Sequence, residues 1–211
     1  MKTTTLLLFS FLSFSLAHGQ THALTDEGQE VLLFEDGTWS YVEDLELNEN
    51  EVEIPMNPTE FKRTKSASFL VKSSSFNIGL HIDPKAWSFN KGKTNEDAEY
   101  EFESKKGEIY GMMIAEGVEI PLLTLRSIAL ENARSVAPDV HIVHEEYRMV
   151  NGIKVLCLQM EGTYQGIQVA YLGYYYSNEN GTVQMVTYSG KKIMEREKER
   201  AVEFLNGLVE L

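Results

Sequence analysis

The chain has little of what holds many small proteins together or supports covalent chemistry. Its 211 residues include a single cysteine, Cys157, so an internal disulfide is excluded and stability must come from a packed core. Cys157 stands within an apolar run, which indicates a buried side chain rather than a reactive thiol. With five prolines and no low-complexity tract, the composition is that of an ordinary globular protein.

Linear signatures of catalysis are also missing. The sequence contains no Gly-x-Ser-x-Gly nucleophile turn, no glycine-rich phosphate loop and no Ser-x-x-Lys pattern with its companion motifs. We therefore predict no catalytic residue and no cofactor, and favour a binding protein over an enzyme. A hydrolase whose site is assembled from distant strands remains the alternative.

Two groups of polar residues are candidates for chemical sites. His144 and Glu146 share one face of a predicted strand, whereas His141 and His144 point to opposite faces, so at most two metal ligands lie together. Glu99, Glu101 and Glu103 lie on one side of another strand. Acid–base catalysis needs carboxylates that face each other across a gap, so we interpret the three as the solvated side of the strand. No metal site is predicted.

Long hydrophobic runs are confined to the start of the chain. A short positive beginning, an apolar run from Leu6 to Leu16 and small residues at Ala17 and Gly19 form the layout of a secretory signal peptide. The run is about half of the roughly 20 residues needed to span a bilayer, which disfavours an uncleaved anchor. We predict a signal peptide over residues 1–19, cleaved after Ala17 or Gly19, and an exported protein that is periplasmic or secreted.

Positive charge is absent from residues 20–59. This stretch carries eleven acidic residues and no lysine or arginine, in a chain whose net charge is −13. Such a field repels nucleic acid and anionic membranes, so neither is an expected partner. The stretch is interpreted as a solvated linker, with an acidic arm that meets a basic partner as the alternative.

A β-hairpin is predicted near the N-terminus. Two apolar stretches flank an Asp36-Gly37 pair, which suits a two-residue turn. Pairing across that turn sets Phe34 opposite Trp39. The same register sets Leu32 opposite Tyr41, so all four side chains share one face. A lone hairpin is marginally stable, so this face is expected to pack on the main domain or on another protein.

The predicted organisation is a hairpin appendage over residues 20–43, an acidic linker over 44–59 and a main domain over 60–211. In the main domain, strands are predicted at residues 67–72, 76–82, 98–104, 108–115, 140–149, 154–160, 167–177 and 182–188, and helices at 121–137 and 192–209. The short turns favour antiparallel pairing. The fold class is α+β, an antiparallel sheet of about six to eight strands covered by two long helices.

Three motifs stand out in residues 76–211: Phe76-Asn77-Ile78 leading to Pro84 and Trp87, then Gly107-Glu108-Ile109-Tyr110-Gly111, and the Val150-Asn151-Gly152 turn. Through these motifs the segment resembles the PsbP-like family of α+β domains. A helix after a tyrosine-rich hairpin completes the pattern. Residues 28–42 are similar to a hairpin near the start of many exported Bacteroidota proteins. The resemblance implies a non-catalytic accessory or binding role and transfers no ligand residue.

Tyrosine is the one residue type with binding potential. Six of the ten tyrosines fall within residues 164–188. Since one face of the sheet must meet helices, the other is expected to carry a strip that faces solvent or a pocket; a tyrosine-rich core is the alternative. The candidate contact residues are Tyr171, Tyr174, Tyr175, Tyr176 and Tyr188. The predicted partner is an unknown protein or small ligand of the bacterial envelope; an assembly role through the hairpin is a further alternative.

Overall fold

The structure is a computed structural model that describes residues 21–24, 30–33, 39–41 and 53–211, apart from 93, 94 and 96. The chain forms two compact units, Met1–Asn48 and Glu49–Leu211. The predicted signal peptide and most of the predicted acidic linker lie outside the described residues. Within the described part, no helix has the length and apolar character needed to cross a membrane.

The N-terminal unit contains a three-stranded antiparallel sheet rather than a hairpin alone. Its strands are β1 (Thr21–Leu24), β2 (Glu30–Leu33) and β3 (Trp39–Tyr41), in the order β1-β2-β3. Because β1 pairs along β2, the central strand is hydrogen-bonded on both edges.

The predicted hairpin register is wrong by one residue. Leu33 pairs with Trp39, Leu32 with Ser40 and Val31 with Tyr41. Five residues therefore lie between the paired residues Leu33 and Trp39, whereas the prediction placed four between Phe34 and Trp39. The predicted pairing of Leu32 with Tyr41 is therefore not formed, because a shift of one residue changes every cross-strand partner. Val31 pairs with Tyr41 instead; Val31 is buried, whereas Trp39 is 51% exposed. Phe34 lies outside the described residues.

An eight-stranded sheet forms the body of the second unit. Its order is β4-β10-β11-β12-β13-β9-β8-β7, with β4 parallel to β10 and the other pairs antiparallel. The strands are β4 (Met56–Phe61), β7 (Trp87–Lys91), β8 (Tyr100–Ser104), β9 (Tyr110–Glu116), β10 (His141–Val150), β11 (Ile153–Tyr164), β12 (Ile167–Asn178) and β13 (Gly181–Gly190). The predicted antiparallel meander of the last four strands is confirmed.

Two segments of this sheet differ from the prediction. Residues 56–59 were expected in the linker but belong to β4, whose Pro58 is tolerated because this strand lies at the sheet edge. No strand was predicted at residues 87–91, but they form β7 at the other edge. Trp87 is buried there and stacks on Phe204, with ring centroids 3.9 Å apart.

A second, three-stranded sheet was not predicted. It consists of β5 (Phe69–Lys72), β6 (Ile78–Ile82) and β14 (Leu208–Glu210), in the order β14-β6-β5. The last helix therefore ends at Leu205 rather than near Val209. At Gly207 an added Cβ would lie 2.0 Å from the carbonyl oxygen of His81, so only glycine permits this close approach of the chain to β6.

Two helices of 15 residues each complete the described domain, α1 (Leu122–Val136) and α2 (Lys191–Leu205). Buried side chains of α2 and of the small sheet pack with Val155, Cys157 and Leu172. Buried side chains of α1 pack with Leu156 and Leu158, on the opposite side of the eight-stranded sheet. We call these sides the α2 face and the α1 face. The predicted α+β class with two helices is confirmed at this level.

Candidate binding groove

Three tyrosines form a row across the α1 face. Tyr171 of β12 pairs with Tyr188 of β13, which in turn pairs with Tyr110 of β9. Directly paired residues place their side chains on the same face of a sheet. The Tyr110 and Tyr188 rings are stacked with centroids 5.7 Å apart, and the Tyr171 and Tyr188 centroids are 6.5 Å apart. The row is thus a continuous aromatic surface over three strands.

Two carboxylates border this row. Glu103 of β8 pairs with Tyr110, and Glu101 lies two residues away on the same face, opposite Asn90 of β7. Together with part of Phe102 these residues line an open depression of about 430 Å³. We call Asn90, Glu101, Glu103, Tyr110 and Tyr188 the tyrosine–glutamate groove. Its described lining residues carry two negative charges and no positive charge.

The groove is open because one helix cannot cover this face. Eight strands spaced about 4.8 Å apart span roughly 34 Å. A helix of 15 residues is about 22 Å long and about 10 Å wide. The buried residues of α1 pack on β11 and β12, so Tyr171 and Tyr188 are partly covered while Tyr110 on β9 is 39% exposed. The α2 face, by contrast, receives both a helix and the three-stranded sheet.

Several polar atoms of the groove, and of Tyr171 next to it, are available to a ligand. Within the described residues, the Tyr171 and Tyr188 hydroxyls and the Glu103 carboxylate form no hydrogen bond, and the Tyr110 hydroxyl makes only a long 3.4 Å bond to the Gly107 carbonyl. Burial raises the pKa of Tyr188, and the nearby Glu101 carboxylate raises it further. The groove thus offers aromatic faces, neutral hydroxyls and at least one unpaired carboxylate.

The predicted tyrosine strip is wrong for three of its five residues. Tyr174, Tyr175 and Tyr176 are almost entirely buried, so they do not face solvent. The first and third lie on the α2 face under the small sheet and α2, and Tyr175 lies under α1 with its ring against Gly173. Tyr171 and Tyr188 remain partly exposed. For the buried three, the tyrosine-rich core is the alternative that the structure supports.

Tyr110 was missed in the sequence. It lies outside the tyrosine-rich segment and reaches Tyr188 only because β9 pairs with β13, some 70 residues away in the chain. No local pattern indicated which later strand β9 would join.

The buried tyrosines belong to a polar network that ties several elements together. Arg148 forms an ion pair with Glu146 at 2.5 Å and donates a hydrogen bond to the Tyr174 hydroxyl at 2.9 Å. That hydroxyl donates to Asn206 Oδ1 at 2.9 Å, beyond the end of α2. The Arg148 guanidinium also lies 4.5 Å from the ring centre of Phe61. Because every member has a partner, the network stabilises the fold rather than offering a reactive group.

Electrostatics in this network agree with a structural role. Burial opposes the charged form of Glu146, but hydrogen bonds from Arg148 and Asn57 outweigh it and lower the pKa of that carboxyl. Burial raises the pKa of Cys157 to about 11 and that of Tyr174 to about 12. The predicted burial of Cys157 is confirmed, and a thiol with so high a pKa is a poor nucleophile at neutral pH.

The two groups of polar residues considered in the sequence, one around His144 and one around Glu99, do not come together as a ligand site in the described residues. His144 Nε2 lies 3.5 Å from Glu146, whose oxygens are also engaged by Arg148 and Asn57. In the part of the chain that the structure describes, no three histidine, cysteine or acidic residues are grouped as metal ligands. Glu99 accepts hydrogen bonds from Ser73 and Ser74, so it supports a loop and is separate from Glu101 and Glu103.

In the N-terminal unit the structure describes the exposure of two side chains, Val31, which is buried, and Trp39, which is half exposed. The role of the hairpin face in packing stays a prediction.

The fold is PsbP-like. The chain matches the solution structure of cyanobacterial PsbP (CyanoP) from Synechocystis sp. PCC 6803 with a TM-score of 0.54 and 9% identity, covering 68% of this chain and 92% of that one. It also matches a Pseudomonas aeruginosa protein of unknown function, PA94, with a TM-score of 0.43, 12% identity and coverage of 68% and 96%.

A third match is LpqN, which is involved in cell envelope biogenesis of Mycobacterium tuberculosis, with a TM-score of 0.41 and 11% identity over 67% of this chain and 88% of that one. No protein-family model and no curated protein sequence matches the chain. The first likeness defines the class, an α+β domain of PsbP-like fold, as the sequence resemblance predicted.

Proposed function

We propose that this chain is an exported, non-catalytic binding protein of the bacterial cell envelope, and that the tyrosine–glutamate groove contacts a basic segment of a partner protein. The observation that carries the proposal is the row of Tyr171, Tyr188 and Tyr110 beside Glu103. A partly exposed aromatic row, in which the Tyr171 and Tyr188 hydroxyls form no hydrogen bond among the described residues, is a surface suited to binding.

The chemistry of the groove favours a cationic ligand. Lysine and arginine side chains are attracted both to carboxylates and to the faces of aromatic rings. The described lining residues supply Glu101, Glu103 and two stacked tyrosines in one depression. A chain with a net charge of −13 also steers basic partners towards it and repels acidic ones.

Binding is favoured over hydrolysis by the placement of the two carboxylates. Glu101 and Glu103 stand two residues apart on one strand and point to the same side. Acid–base hydrolysis of a glycosidic bond needs two carboxyl groups that flank the bond from opposite sides, roughly 5–10 Å apart. This arrangement supports charge recognition instead.

The leader sequence supports the part of the proposal that concerns export. Residues 1–19 combine a positive start, a short apolar run and small residues before the predicted cleavage positions. N-terminal sequencing of protein recovered from cells tests this part: a mature chain should begin at His18 or Gln20, and intact Met1 on cytosolic protein would contradict it.

Peptide binding tests the groove. A lysine- and arginine-rich peptide should bind the wild type and lose about tenfold in affinity with Glu103→Gln, because a charge-assisted contact is removed. Glu203→Gln, an exposed glutamate of α2, is the matched control and should bind as the wild type does. Equal affinity of both variants, or equal binding of a glutamate-rich peptide, would contradict a basic partner.

A further inference from the structure

A second depression lies at the opposite edge of the eight-stranded sheet. It follows β4, has a volume of about 550 Å³, and is lined by Glu60, Lys62, Arg63, Thr64, Lys65, Asn151 and Gly152. We call residues 62–65 the basic loop. Three cations and one carboxylate meet here, which is a local excess of positive charge in a chain with a net charge of −13.

Asn151 holds the basic loop in place. This residue adopts a positive φ of 49° in the β10–β11 turn, and its side-chain Oδ1 accepts a hydrogen bond from the backbone N–H of Arg63 at 3.0 Å. Its Nδ2 donates to the carbonyl oxygens of Asn206 and Leu208, at 2.7 Å each. Its own N–H donates to the Phe61 carbonyl at 2.9 Å. The loop is therefore pre-ordered, which lowers the entropic cost of binding a ligand there.

The basic loop carries side-chain hydrogen-bond donors that have no partner among the described residues or only an exposed one. Arg63 Nη1 donates to the Ala67 carbonyl at 2.9 Å, which orients the guanidinium while its other nitrogens make no bond in the described part of the chain. Lys65 forms no ion pair among the described residues. The Lys62–Glu60 pair, at 3.0 Å, is strongly exposed on both sides and easily exchanged for another anion. The Thr64 and Ser66 hydroxyls lie within 3.0 Å of each other beside these cations.

The charge of Arg63 also acts on the neighbouring sheet. Burial lowers the pKa of His81 there, and the charge of Arg63 lowers it further, so the neutral form of His81 is favoured and it adds no charge to this edge. Guanidinium, ammonium and hydroxyl donors together are the set that proteins use for tetrahedral phosphate oxygens.

We propose that the basic loop binds a phosphate group, with Arg63 and Lys65 as the principal contacts and Lys62 released from Glu60 to join them. This site is separate from the tyrosine–glutamate groove and does not depend on the function proposed for it. The phosphate can belong to a soluble phosphate compound or to a lipid headgroup, since both offer the same oxygens.

Backbone amide NMR spectra test the site directly. Titration with inorganic phosphate at constant ionic strength should shift the amides of residues 62–66 saturably, and acetate should not. A Lys62→Gln, Lys65→Gln double variant should weaken phosphate binding by about tenfold, because two charged donors are lost. Lys105→Gln, an exposed lysine of the β8–β9 turn, is the control and should bind as the wild type does.

Co-sedimentation with vesicles separates the two sources of phosphate. Binding to phosphatidylglycerol vesicles but not to phosphatidylcholine vesicles, lost in the double variant, assigns the site to lipid headgroups. Phosphate binding without vesicle binding assigns it to soluble phosphate compounds. Absence of both, or shifts that acetate reproduces, overturns the proposal. The substituted lysines are exposed, so unchanged thermal unfolding of the double variant is expected and confirms that its fold is intact.

Discussion

On the α2 face of the eight-stranded sheet, Tyr174 and Tyr176 are enclosed and hydrogen-bonded, whereas on the α1 face Tyr110 and Tyr188 reach solvent. The difference follows from coverage: a helix and a small sheet pack on the first face, and one helix of 15 residues on the second. Tyrosine therefore stabilises the fold where the sheet is covered, as Tyr175 does beneath α1, and is available for contact where the α1 face is open. Four predictions test this contrast.

Removal of Arg148 should have the largest effect on stability. Arg148→Ala leaves Glu146, which is 9% exposed, without its cation, and breaks the bond to Tyr174. Loss of one partner of a buried ion pair costs about 3–5 kcal/mol of the free energy of unfolding. Urea unfolding measures this. The double variant Glu146→Leu, Arg148→Met should lose less than the single variant, and an equal loss would show that the pair is not coupled.

Substitution of Gly173 should come next. An added Cβ would lie 2.9 Å from Cε2 of Tyr175, whose ring packs against this glycine beneath α1. Gly173→Ala must displace a fully buried ring and should cost about 1–3 kcal/mol of the free energy of unfolding. The wild type under matched conditions serves as the reference. The turn glycine Gly166 cannot serve as a control, because its φ of +81° would strain an alanine. No loss of stability in Gly173→Ala would mean that the packing of the Tyr175 ring beneath α1 is loose enough to admit the added methyl group.

Alkaline pH should destabilise the domain through its enclosed tyrosines. Burial raises the pKa of Tyr174 from 10.0 to about 12, so the folded state holds this proton more tightly than the unfolded state does. The contribution is fully present below pH 10 and is lost as the pH rises from 10 through 12, by up to about 1.4 kcal/mol per pH unit for one group. Urea unfolding across this range measures the slope, and Tyr174→Phe should make it shallower.

Changes in the groove should leave stability nearly intact. Tyr110 is 39% exposed, so Tyr110→Ala should change the free energy of unfolding by less than about 1 kcal/mol while it weakens binding of the partner. Tyr164→Ala is a matched control, since Tyr164 is 41% exposed in the β11–β12 hairpin. A loss of stability at Tyr110 as large as that at Arg148 would abolish the contrast between the two faces.

Local patterns in the sequence predicted most of the body of the fold. Alternation of apolar residues and the Asn151-Gly152 and Asn180-Gly181 turns located the four-strand meander, because hairpins are encoded by neighbouring residues. The resemblance to the PsbP-like family anticipated the fold as a whole. The second sheet was missed because β14 pairs with β6, at the other end of the domain, and such long-range pairing leaves no periodic signal.

The site was predictable only in part for the same reason. Tyr171 and Tyr188 were named because they lie in one tyrosine-rich hairpin. Whether each tyrosine is buried depends on where α1 and α2 pack on the sheet. Hydrophobic periodicity does not specify that position. Tyr110 and Glu103 join the groove through β9 and β8, strands that precede α1 in the chain.

The open part of the α1 face is the surface proposed to bind a partner. Photo-crosslinking in envelope preparations, with wild type, Tyr164→Ala and the Tyr110→Ala, Tyr188→Ala double variant compared at equal abundance, tests it most directly. We expect one crosslinked protein, identified by mass spectrometry as carrying a lysine- or arginine-rich segment, in the first two samples and its loss in the third. The same protein crosslinked with undiminished yield to the double variant would contradict it.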